Sequence, residues 1–159
     1  MPAAARTPAR LAFVAAVVVA LVVGLLPPAA NAGTGYRTEL LRLLNDARAR
    51  NELDAVGLDL DLSRDAQKHT RRMVRRDRLF HPSDLEEMLR GTAYERFGAG
   101  AVGCASTLRG LHRALMRSAV HREILLHPDA EMVGIGVVRT DSGNRCGKGS
   151  FWATYVFYG

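Results

Sequence analysis

Room for a second domain, a disorder-prone composition and a lysine-rich surface are all missing from this chain. At 159 residues it is too short for two independently stable domains and long enough for one with a real hydrophobic core. Its 48% hydrophobic and 24% charged residues exclude a disordered, collagen-like or multi-span membrane protein. Lysine is reduced to Lys68 and Lys148, so the excess of 22 basic over 16 acidic residues is carried by arginine. Cys104 and Cys146 are the only cysteines, so one intramolecular disulfide is the most the chain can form. A glycine pattern occurs at Gly98-Ala99-Gly100, but no strand-then-helix unit with an acid about 20 residues on accompanies it, which excludes a dinucleotide-binding loop.

One long apolar run is present. Leu11 to Leu26 follows Arg6 and Arg10 and precedes Pro27-Pro28 and Ala30-Asn31-Ala32. This order of charge, apolar core, helix breakers and small residues predicts a signal peptide over residues 1–32, cleaved after Ala32, with a single domain over 33–159. The run is short for a membrane span of about 20 residues, and an uncleaved anchor is the alternative. Losing two arginines and no acid leaves 20 basic against 16 acidic residues, a formal +4. A secreted or extracytoplasmic protein of this charge is expected to meet no nucleic acid. An oxidising compartment lets Cys104 and Cys146 pair, and two independent buried thiols are the alternative.

Leu40, Leu43, Leu44 and Ala47 recur at helical spacing and predict an amphipathic helix over residues 37–50. Ser63 is positioned to cap a second helix over residues 64–78, whose inner face carries Ala66, His69 and Met73. Arg71, Arg72, Arg75, Arg76 and Arg78 crowd the remainder, either as a solvated face or as a patch for anionic lipid or wall polymer at a membrane surface. A short helical piece over 83–90 precedes the glycine-rich segment, where glycine implies close backbone approach. Ser106 then offers a cap for a helix with Leu108, Leu111, core-facing His112 and Leu115. Val133, Ile135 and Val137 alternate with glycines, and Phe151 to Tyr158 is β-branched and aromatic, so both segments predict strands of an antiparallel hairpin with a long loop. Trp152 and Tyr155 fall on opposite faces, so helices must cover both sides. The predicted fold class is α+β: an α-β-α sandwich around a small antiparallel sheet.

Several residues in this order carry a resemblance. They are Leu43-Leu44-Asn45-x-x-Arg48, Ala66-x-x-His69-x-x-x-Met73, His81, Ser118-x-x-His121-Arg122-x-Ile124-Leu125, Gly134-x-Gly136-Val137 and Trp152-x-Thr154-x-x-Phe157. Together they resemble the CAP superfamily (cysteine-rich secretory, antigen 5 and pathogenesis-related proteins, the SCP domain) in its small bacterial secreted form. The resemblance implies a cleft lined by His81 and His121, in which zinc or another divalent metal binds in some members; Ser118 and His69 are further candidate cleft residues. It also marks a departure, because Ala99-Gly100-Ala101 aligns with a Gly-Glu-Asn segment and puts Gly100 where the family has a glutamate.

Two function classes follow. The first is a monomeric, non-enzymatic binding module for a lipid, sterol-like or cell-envelope ligand, requiring no cofactor. Lipid binding by eukaryotic relatives supports it by analogy only. The second is a metal-dependent, protease-like hydrolase using His81 and His121. Ser118 and His121 stand at the spacing of a nucleophile and base, but the sequence shows no oxyanion motif or orienting carboxylate.

Overall fold

Glycine and alanine, poor strand formers by themselves, build one edge of the sheet. In a computed structural model, which describes residues 32–159, the segment Gly98–Ala105 is a strand hydrogen-bonded along its length to Phe151–Tyr158. The predicted leader, apart from Ala32, lies outside the described residues. In chain order the elements are α1 (Ala32–Ala49), β1 (Gly57–Leu58), α2 (Leu60–Arg75), α3 (Leu85–Leu89), β2 (Gly98–Ala105), α4 (Leu108–Arg117), α5 (Ala119–Leu125), β3 (Met132–Arg139) and β4 (Phe151–Tyr158). Among the described residues no helix is long and apolar enough to cross a membrane.

The four strands lie in the order β1-β3-β4-β2. The expected hairpin is β3 with β4, but the sheet is mixed rather than wholly antiparallel, since β1 pairs with β3 in parallel. Alternation along β4 sends Trp152 toward Met73 of α2, while Tyr155 and Phe157 face Leu40 and Leu44 of α1 and Leu111 and Leu115 of α4. Helices therefore cover both faces, which gives the expected α-β-α sandwich. Among the described residues, three apolar clusters form the core between the sheet and its helices.

Local chemistry moves several boundaries. Asp59, not Ser63, caps α2: its Oδ1 accepts from the Leu62 amide at 2.9 Å. Ser63 lies inside the helix and is buried, and its hydroxyl accepts from the Ile135 amide at 3.0 Å. Thr107, not Ser106, caps α4 through the Gly110 amide at 3.0 Å. α2 starts earlier and stops earlier than its apolar pattern suggests, because Asp77 takes a left-handed conformation (φ 44°) just past the C-cap.

β1 pairs with only the first two residues of β3, and side chains satisfy much of the exposed edge beyond. Arg37 donates to the Ile135 carbonyl at 2.8 Å, while Gln67 accepts from the Val137 amide at 2.8 Å and donates to its carbonyl at 3.0 Å. With Ser63, these groups stand in for a missing neighbour strand and close the edge to pairing with another chain. Cys104 and Cys146 form the expected disulfide, tying β2 to the 140–149 loop. Closing a loop of this length stabilises by roughly 4 kcal/mol in the chain-entropy model.

Candidate functional site

His81 and His121, 40 positions apart in sequence, meet in space. His81 lies in the extended segment after α2 and is exposed; His121 lies in α5 and is half-buried. Their rings stack with centroids 5.9 Å apart and planes inclined by 26°. Burial, and then the neighbouring His81, pushes the His121 pKa below its ordinary value, so the neutral, lone-pair-bearing form of His121 is favoured.

His69 supports this pair from below. It is fully buried, and Nε2 donates to the Phe80 carbonyl at 2.8 Å, immediately before His81. Its Nδ1 accepts from Arg72 at 3.2 Å, and Arg72 in turn pairs with Asp84 at 3.1 Å. Both ring nitrogens are thus engaged within the protein. The chain His69–Arg72–Asp84 anchors the two sides of the segment that presents His81; the sequence pattern puts Arg72 with the outer arginines, and the i,i+3 spacing of His69 and Arg72 could have signalled the contact. A polar groove of about 370 Å³ between α2 and α3 is lined by Asp65, Lys68, Arg72, Asp84, Glu87 and Met88.

Gly100 faces the same region. A Cβ added there would touch Pro82, next to His81, at an ordinary 3.7 Å, so the backbone leaves room for a side chain that this chain does not have. The described residues contain no group of three His, Cys, Asp or Glu side chains placed to hold a metal. Protein zinc sites use three or four such ligands, so the donor set around His81 and His121 does not fit a tightly held zinc ion. The nucleophile reading fares no better. Ser118 is the N-cap residue of α5, and no hydrogen bond joins its hydroxyl to His121.

The family match follows the same elements. The model of the cysteine-rich secretory protein family, CAP, matches residues 41–158. The chain belongs to this family. Among solved structures, an extracellular SCP-domain protein of Bacillus anthracis is 18% identical with a TM-score of 0.63, over 80% of this chain and 41% of that one. A cysteine-rich secretory protein of Staphylococcus aureus is also 18% identical with a TM-score of 0.63, over 82% of this chain and 40% of that one. An outer surface protein of Borrelia burgdorferi is 12% identical with a TM-score of 0.62, over 79% and 94% respectively. At these identities the likeness is one of CAP fold. This chain spans about two fifths of the Bacillus and Staphylococcus proteins. A search of curated protein sequences finds no match.

Three histidines give the fold a pH dependence. Burial lowers the pKa of His69, His112 and His121 below the ordinary 6.5. The unfolded chain therefore takes up protons that the folded chain resists, and stability present above about pH 6.5 is lost as pH falls through the lowered values. Thermal melts between neutral pH and about pH 5 should show a falling Tm, shallower in His112→Gln, whose parent Nδ1 is buried without a partner. A flat or rising Tm would contradict this assignment.

Proposed function

We propose that this CAP domain is an exported, non-enzymatic binding module that takes a lipid or other cell-envelope ligand at the His81–His121 cleft. One observation carries the reading: exposed His81 and half-buried His121 stack, and among the described residues no third metal ligand and no hydrogen-bonded nucleophile joins them. Two imidazoles in that state offer hydrogen bonds and flat apolar faces to a ligand headgroup. The apolar leader, the disulfide and the extracellular and outer-surface proteins that share the fold support an extracytoplasmic setting.

The five histidine ring signals in an NMR spectrum of residues 33–159 provide the test. Titration with solubilised phosphatidylglycerol, a fatty acid and a sterol should move His81 and His121 together while buried His69 and His112 stay fixed. If no member of this panel moves the pair, the lipid form of the proposal is lost.

A further inference from the structure

We propose that the arginine-rich end of α2, with the loop that docks on it, binds the headgroup phosphates of an anionic phospholipid bilayer. The surface borders the histidine cleft, and the inference does not rest on what that cleft binds. Arg71, Arg75, Arg76 and Arg78 are exposed. Among the described residues, the basic partners in ion pairs are Arg42, Arg64, Lys68, Arg72 and Arg139, so none of these four is neutralised by a contacting carboxylate. The helix dipole accounts for basic residues in the last turn, where Arg72 and Arg75 lie, but not for Arg76 and Arg78 beyond it.

Three contacts assemble the patch. The guanidinium groups of Arg76 and Arg78 both lie over the Phe80 ring, 5.3 and 5.6 Å from its centroid, which restrains side chains that would otherwise sample many rotamers. Asp77, the one acid in this stretch, uses Oδ1 to accept from the Arg145 amide at 2.8 Å, and so brings exposed Arg145 to the same end of the helix. The 140–149 loop is held in that place by the Cys104–Cys146 disulfide and by Asn144, which accepts from the Cys146 amide at 2.9 Å and donates to Thr140 at 2.7 Å.

The chemistry favours a bilayer over a single bound anion. Guanidinium forks pair with phosphate oxygens, and here they come from the helix (Arg71, Arg75), the segment that follows it (Arg76, Arg78) and the 140–149 loop (Arg145), more forks than one phosphate takes. Leu79, between Arg78 and Phe80, is 36% exposed, and an apolar side chain projecting from a basic rim suits the boundary between headgroups and acyl chains. His81 follows Phe80 directly, so docking would bring the cleft to the bilayer.

Vesicle co-sedimentation of residues 33–159 tests the proposal, comparing phosphatidylcholine alone with phosphatidylcholine doped with phosphatidylglycerol. The protein should partition to the anionic vesicles only, and added salt should release it. Replacing Arg75, Arg76 and Arg78 together by Gln should weaken partition on the order of a hundredfold. The control is Arg113→Gln with Arg117→Gln, two exposed positions on α4 across the sheet, which should change partition only severalfold. An equal loss in both variants would mean that net charge alone is at work and would overturn the proposal. So would capture of soluble polyphosphate through the same arginines without partition to vesicles. Unchanged melts of both variants show that folding is not what the assay reads.

Discussion

Replacing Arg48 by Met is expected to destabilise the domain by about 3 kcal/mol or more, a large fraction of the stability of a domain this size. Arg48 is fully buried, yet among the described residues no carboxylate forms an ion pair with its guanidinium. Backbone carbonyls satisfy it instead: Nε donates to Asp54 at 2.7 Å, Nη1 to Leu125 at 3.1 Å and His127 at 3.0 Å, and Nη2 to Ala130 at 3.1 Å. Leu125 and His127 lie at the C-terminal end of α5, where free carbonyls and the helix dipole favour a cation. One side chain of α1 thereby holds the connection to β1, the end of the helix that carries His121, and the approach to β3. Methionine fills most of the space but leaves four backbone carbonyls, those of Leu125 and Ala130 buried, without these donors. Lysine should recover only part of the loss, since a single ammonium cannot reproduce the planar fork. Urea unfolding checks this; a loss below about 1 kcal/mol for Arg48→Met would show that water replaces the guanidinium at little cost.

The second large effect is expected at Gly136. A Cβ there would overlap the backbone of Ala66 and Gln67, and backbone cannot swing aside as a side-chain tip can. Gly136→Ala must push α2 away from the sheet. That movement strains the bonds from Ser63 and Gln67 to the β3 edge and the 2.8 Å contact between the Thr70 and Thr154 hydroxyls. Overpacking of this kind costs about 3 kcal/mol. Gly100→Ala is the matching control, with only ordinary contacts around its new methyl group, and should stay within about 0.5 kcal/mol of the parent. Equal urea midpoints for the two variants would refute the close-approach argument.

These two positions show what could and could not be read in the chain. Gly134 and Gly136 alternate with apolar residues, so the β3 strand was visible, and Trp152 and Tyr155 on opposite faces of β4 revealed a sheet covered on both sides. β2 was not visible as a strand, because glycine and alanine carry little strand preference; pairing along β4 makes it one. The caps were misplaced by a few residues because Ser63 and Ser106 are as suitable chemically as Asp59 and Thr107, and only tertiary position decides between them. His81 and His121 were legible only through the family pattern, since nothing local to either residue predicts their meeting. The engagement of both His69 nitrogens depended on Phe80 and Arg72 arriving together, which no spacing rule specifies for the Phe80 carbonyl.

The central claim is that the paired histidines form a binding cleft and not a metal centre. Thermal melts of residues 33–159 and of His81→Ala, with a chelator and with stoichiometric zinc, test it most directly. A ligand bound only by the native state raises Tm. The account predicts no zinc-dependent rise in either protein, because, among the described residues, two imidazoles with glycine at position 100 have no third donor beside them. A rise in the parent that disappears in His81→Ala would contradict it and restore metal-assisted hydrolysis as the function to test.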